Sequence, residues 1–183
     1  MTNIVLIGFK NSGKTSVGKL LAKKLNKIFI DTDDLIIHAY KIKNNILLNC
    51  REISKKHGED YFRDLEKKII ASLDNLDNLD KDNTQNYIIA TGGGCVLYPE
   101  NINHLKKMGK LIYLSISYQT LKDRIFKQTV LPSYLDHTQP EKSLVILYEK
   151  LKIIFDKIAD LEISTENKSI SDITKEISEN ITN

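Results

Sequence analysis

The segment Gly8-Phe9-Lys10-Asn11-Ser12-Gly13-Lys14-Thr15 fits the pattern G-x-x-x-x-G-K-[ST], and its flanks give that pattern its meaning. Before it, Asn3 to Gly8 is a short aliphatic and β-branched run closed by glycine, which reads as a buried strand. After it, Lys14 to Leu25 carries Val17, Leu20, Leu21 and Leu25 on one helical stripe. A strand, a glycine-containing turn and a helix in that order aim main-chain N–H groups at one point, where phosphate oxygens bind. Gly8, Asn11, Ser12, Gly13 and Ser16 then border the phosphates, and Gly13 permits close backbone approach. Lys14 reaches the β and γ phosphates, and the Thr15 hydroxyl is a ligand for magnesium. The expected ligand is a nucleoside triphosphate.

Beyond this segment, strands and helices alternate. Ile28 to Asp31, Tyr87 to Thr91, Lys110 to Ile116 and Leu161 to Ser164 read as further strands. Helices are expected over Asp33 to Tyr40 and Asn45 to His57, broken by the polar stretch Lys41 to Asn44. Others follow over Glu59 to Leu73, Pro99 to Met108, Tyr118 to Lys127, Glu141 to Ile158 and Ile170 to Ile181. The Asp/Asn-rich stretch Asp74 to Asn86 reads as a surface loop or frayed helix end, without the spacing of a calcium loop. This alternation implies an α/β fold with a mainly parallel sheet and helices on both faces, and no domain boundary is visible over 1–183.

The 183 residues suffice for one core. A 41% hydrophobic and 28% charged composition argues against disorder. No apolar stretch approaches a membrane span, and Ile4 to Ile7 is too short for a signal peptide. Two cysteines, Cys50 and Cys95, cannot make a disulfide framework, so a cytoplasmic protein is expected. A net charge of +3 is too weak for a dedicated nucleic-acid binder. The 27 basic residues are nearly all lysine, with arginine only at Arg51, Arg63 and Arg124.

Three smaller clusters carry candidate chemistry. Asp31-Thr32-Asp33 stands at the carboxyl end of the second strand, where open α/β sheets place ligands. Two carboxylates there can divide the work, one toward magnesium and one toward a substrate hydroxyl, or Asp33 can simply cap the next helix. In Gly58-Glu59-x-x-Phe62-Arg63-x-x-Glu66, Arg63 and Glu66 are one helical turn apart. They form either a surface ion pair or a guanidinium held for an anionic substrate, with Phe62 packed on its face. Gly92-Gly93-Gly94 ends the third strand and either exposes N–H groups to a ligand or is a flexible turn. Neither cysteine has a histidine partner, and no histidine has metal spacing.

In this order the phosphate loop, D-x-D, G-E-x-x-F-R-x-x-E and G-G-G resemble the shikimate kinase family over nearly the whole chain. The resemblance implies a three-layer P-loop kinase fold: a parallel five-stranded sheet, substrate-binding helices over about 33–73 and a lid over about 127–140. It implies an enzyme moving the ATP γ-phosphate to a hydroxyl of shikimate with Mg2+, as a monomer. By position, Lys14 and Asp33 would be catalytic, Asp33 as the base. Thr15 and Asp31 would serve the metal. Arg63, supported by Glu66, would grip the substrate carboxylate. Phe62, Gly92, Gly93 and Gly94 would line the acceptor site, and Arg124 would pack on adenine.

The chain also departs from that family's pattern. Asn11 stands where glycine is usual, a mild change because asparagine tolerates positive φ. Leu131, before Pro132, and Leu151 stand where the family has arginines. Losing two charge-assisted hydrogen bonds would cost roughly 3–6 kcal/mol, or two to four orders of magnitude in affinity. Lys127, Lys142, Lys150, Lys152 and His137 are candidate stand-ins, although Lys150 and Lys152 face about 100° from Leu151 on the helix. Two alternatives follow: a kinase of the same architecture with a different hydroxyl acceptor, and a catalytically silent nucleotide-binding protein.

Overall fold

A computed structural model describes residues 3–75, 87–132 and 134–182. The five expected strands are present as β1 (Asn3–Ile7), β2 (Ile28–Asp31), β3 (Tyr87–Ala90), β4 (Gly109–Ser115) and β5 (Leu161–Ser164). They form one sheet in the order β2-β3-β1-β4-β5, and every pairing is parallel. Among the described residues the helices are α1 (Lys14–Leu25), α2 (Thr32–Asn44), α3 (Cys50–His57), α4 (Glu59–Ser72), α5 (Pro99–Met108), α6 (Tyr118–Phe126), α7 (Pro140–Ile158) and α8 (Ile170–Thr182). Most of the expected Asp74–Asn86 loop lies outside the described residues.

The period-2 geometry of a strand sorts the core into two layers. Ile4 and Leu6 of β1 face a cluster with Val17 and Leu21 of α1 and Ile173 and Ile177 of α8. Val5 and Ile7 face the opposite way, onto Leu105 of α5 and Leu151 and Phe155 of α7. β1 is buried along its whole length because both faces are covered, hence its continuous aliphatic run. A third, smaller cluster of Ile36, Tyr40, Ile53 and Phe62 holds α2, α3 and α4 together beside the sheet.

Two helix boundaries differ from the sequence reading: α2 runs on past Tyr40, and α3 begins at Cys50 rather than Asn45, so 45–49 is not helical. α2 does not stop at Tyr40 but continues through Lys41 to Asn44 and ends at Asn45, which takes a left-handed conformation (φ 54°) as its cap. α3 then starts with a reciprocal capping box, Asn49 with Glu52. Polar residues there are the solvent face of a continuing helix rather than a break.

Candidate active site

The phosphate loop leaves β1 and enters α1 as the pattern requires. Gly13 precedes the helix at φ 95°, where a side chain would be strained, and Asn11 sits at φ 65°, the region asparagine tolerates. Lys14 is buried, and its Nζ donates to the carbonyls of Gly8 (2.9 Å) and Phe9 (2.7 Å). Burial pulls its pKa down to about 8, against the opposing pull of Asp33. Ser12 is buried too, and its hydroxyl has no protein partner among the described residues. Arg124 reaches back from α6, its Nη1 donating to the Asn11 carbonyl at 2.7 Å.

The two aspartates behave differently, which corrects the capping alternative for Asp33. Asp31 is the cap of α2: its Oδ1 accepts from the Asp33 N–H (3.0 Å), and its Oδ2 accepts from the Thr15 hydroxyl (2.7 Å). Asp33 lies in the first turn of α2 and lines a cavity of about 470 Å³. Burial, helped by repulsion from Asp31, raises the Asp33 pKa above the usual carboxylate value, while Lys14 opposes the rise.

Arg63 and Glu66 are not a surface pair, because Glu66 is 1% and the Arg63 side chain 13% exposed. Arg63 donates through Nη1 to Glu66 (2.8 Å) and through Nε to Glu59 (2.8 Å), and its guanidinium carbon stands 5.1 Å from the Phe62 ring centroid. Space rather than backbone angle constrains the triple glycine, most strictly at Gly93, where an added Cβ would meet backbone. A Cβ on Gly92 would meet Glu66 Oε1 at 2.9 Å and Asp33 Oδ1 at 3.1 Å, one on Gly93 the Lys10 backbone nitrogen at 2.6 Å, and one on Gly94 Arg63 Nη2 at 3.0 Å. The glycines therefore let the end of β3 press against the phosphate loop and the acidic floor together.

One cavity thus joins Asp33, Phe62, Arg63, Glu66 and the glycines to Lys10 of the phosphate loop. Its opposite wall is apolar, with Leu121, Ile125, Leu144, Leu147 and Leu151. Leu151 is buried in the core cluster, and Leu131 packs against that cluster. None of the proposed stand-ins lines the cavity: Lys152 is paired with Asp156 (2.6 Å), and His137 Nε2 lies 3.2 Å from the Pro132 carbonyl. The sequence reading missed Cys50 and Arg51 of α3 and Tyr148 of α7, which also line it. Cys50 is a bystander whose thiol, pushed up to about 12 by burial, stays protonated, and buried Cys95 is likewise pushed to about 12.

The family model for shikimate kinase matches residues 10–182. A shikimate kinase from Thermodesulfovibrio yellowstonii is 38% identical over 177 residues, covering 97% of this chain and 93% of that protein. One from Sulfurihydrogenibium sp. is 35% identical over 177 residues, covering 97% of this chain and 96% of that protein. Among solved structures, a shikimate kinase from Acinetobacter baumannii in complex with shikimate matches with a TM-score of 0.82 at 26% identity, covering 100% of this chain and 93% of the other. A gluconokinase from Sinorhizobium meliloti, 17% identical with a TM-score of 0.56 over 99% of this chain and 95% of the other, shares the fold.

Proposed function

The chain belongs to the shikimate kinase family, and from that premise we propose which of its residues transfer the γ-phosphate of ATP to a hydroxyl group of shikimate. The enzyme is a phosphotransferase with an alcohol acceptor. The observation that carries the assignment is that Asp33 and the phosphate loop meet across the triple glycine in one cavity.

In the resting site Lys14 is held on the Gly8 and Phe9 carbonyls, pre-aimed along the loop. A triphosphate laid on the loop N–H groups offers it oxygens that carry charge, and it exchanges neutral partners for charged ones. Ser12, buried and unpartnered, gains an acceptor in the same event. Asp33 accepts the proton of the acceptor hydroxyl, orienting that oxygen toward the γ-phosphorus and keeping the proton as the new O–P bond forms and the bond to ADP breaks. Its raised pKa makes it a better base than an exposed aspartate. Arg63, braced by Glu66 and Glu59, and the glycine loop shape the acceptor side, and Arg124 covers the nucleotide side.

The hydroxyl of Thr15 bonded to the Asp31 carboxylate is a hard-oxygen pair of the kind magnesium selects. Among the described residues no cluster of three metal-ligating side chains exists, which suits an ion that shares its ligands with substrate phosphates. Thr15 and Asp31 would hold it, and it would offset charge on the transferring phosphoryl oxygens. We further read the chain as a monomer of the cytoplasm acting on ATP and a small acceptor alone, with no nucleic-acid or membrane partner. Its two cysteines are free, and no helix among the described residues is long and apolar enough to cross a membrane.

The alternative of another hydroxyl acceptor draws on the apolar wall at Leu144, Leu147 and Leu151. ADP release with magnesium, ATP and shikimate, set against a panel of polyols and hydroxy acids, separates the two. Turnover with shikimate well above the panel is expected, and turnover confined to another compound would overturn the assignment.

A further inference from the structure

The phosphate loop carries two lysines. Lys14 is buried and held on the loop's own carbonyls, whereas Lys10 is exposed and lines the cavity together with Asp33. The Lys10 backbone is fixed from three sides. The neighbouring Phe9 ring is stacked on Tyr148 (4.7 Å between centroids, 11° between planes) and meets Phe155 edge-on at 5.2 Å. The Phe9 carbonyl accepts from Lys14 Nζ (2.7 Å) and from the Ser12 N–H (3.2 Å). Gly93 presses from the other side, so closely that an added Cβ would stand 2.6 Å from the Lys10 nitrogen. A lysine anchored in this way has a fixed Cα and a four-carbon stem that delivers its ammonium to one region of the cavity.

That ammonium has no fixed partner. Among the described residues Lys10 makes no ion pair. The other cations of the cavity are engaged: Arg63 is held by Glu59 and Glu66, and Arg51 donates through Nη2 to the Val130 and Leu131 carbonyls. The charge of Lys10 is nevertheless felt across the cavity. Burial raises the pKa of Asp33 and of Cys50, and Lys10 is among the charges that oppose both rises. Burial lowers the pKa of Lys14, and Lys10 adds to that lowering. One unpaired cation thus stands within electrostatic reach of the base on the acceptor side and of the loop lysine on the nucleotide side.

What passes between those two sides is the γ-phosphoryl group. As the acceptor oxygen bonds to phosphorus and the bond to the ADP oxygen breaks, negative charge spreads over three equatorial oxygens. Lys14 and the loop N–H groups serve them from the nucleotide side. Resting on the shikimate kinase reading of the site, we propose that Lys10 is a second catalytic lysine, donating to a γ-phosphoryl oxygen from the acceptor side during transfer. The proton of the acceptor hydroxyl goes to Asp33, and the Lys10 ammonium keeps its own three. Its contact strengthens as charge develops, so it serves transfer more than ATP binding. Leu131 and Leu151, apolar where the family has arginines, supply no charge there.

The test compares wild type, Lys10→Met and Lys10→Arg in single-turnover transfer from magnesium-ATP to shikimate over a pH series, with calorimetric affinities for ADP and shikimate. Lys10→Met should slow transfer about ten- to a hundredfold at every pH. Its ADP affinity, shikimate affinity and melting temperature should hold, since none of them involves the γ-phosphoryl group. Lys10→Arg keeps the charge and should recover part of the rate. Transfer by Lys10→Met at the wild-type rate overturns the proposal. So does an equal loss of ADP affinity, which would make Lys10 a ground-state phosphate contact. A loss confined to the acid limb of the profile also overturns it, by reducing Lys10 to a means of keeping Asp33 ionised. A Lys10→Arg rate no better than that of Lys10→Met does the same, by making bulk rather than charge the cause. A wild type that binds ATP yet transfers nothing to shikimate would instead remove the acceptor reading, and this proposal with it.

Discussion

Replacing Lys14 with methionine and following stability against pH isolates the central electrostatic device of the site. Burial lowers the Lys14 pKa from its ordinary 10.5 to about 8, so the folded state holds this proton less tightly than the unfolded chain does. Between those values the unfolded state binds more protons, and stability therefore rises with pH. Below about pH 8 both states are protonated and the charged, buried amine costs the fold its full penalty, about 3 kcal/mol for this shift. At about pH 9.5 the folded group is mostly neutral while the unfolded one is still mostly charged, and about 2 kcal/mol of the penalty has been recovered. Methionine keeps the stem and removes the titration, so the difference in unfolding free energy between wild type and Lys14→Met cancels the other groups that titrate in this range. Urea denaturation at several pH values should show wild type gaining on the variant by about 2 kcal/mol from about pH 7 to about pH 9.5. A difference that stays flat over that interval would mean that Lys14 is not desolvated, and the reasoning about its pre-aimed state would fail.

Other expectations follow from the same geometry. In the free enzyme kcat/KM for ATP should fall above about pH 8 as Lys14 loses its proton, and kcat/KM for the acceptor should fall on the acid side at a pH above the ordinary aspartate value of 3.8, because Asp33 must be ionised to act; pH–rate profiles check both limbs. Gly93→Ala would put a Cβ 2.6 Å from the Lys10 backbone nitrogen and displace the phosphate loop, so ATP affinity should fall at least tenfold in calorimetry. Arg63→Met leaves Glu66 buried and unpaired and should destabilise the fold by about 3–5 kcal/mol, most of it recovered in Arg63→Met/Glu66→Leu, as thermal unfolding would show.

How far the sequence carries depends on whether a feature is local. The phosphate loop is legible because its demands, glycine at positive φ at Gly13 and asparagine at Asn11, are met within eight residues. The parallel sheet is legible because strands covered on both faces read as near-continuous apolar runs, as β1 does from Ile4 and β3 from Tyr87. The end of α2 is not, since the polar run Lys41 to Asn44 looks alike in a loop and on a solvent-facing helix turn; only the Asn45 cap and the Asn49–Glu52 box decide it. The split between Asp31 and Asp33 hinges on one turn of backbone, which puts Asp31 on Thr15 and Asp33 in the cavity. Arg51 is missed because its partners are carbonyls about eighty residues away in the chain, although the scarcity of arginine was a signal pointing to it.

The most direct measurement is the single-turnover rate of γ-phosphate transfer to shikimate by wild type and Asp33→Asn, with ATP affinity measured alongside. With Asp33 as base and positioner, the variant should bind ATP as the wild type does and transfer about a hundred- to ten-thousandfold more slowly. Transfer at the wild-type rate by the asparagine enzyme would contradict the account at its chemical step.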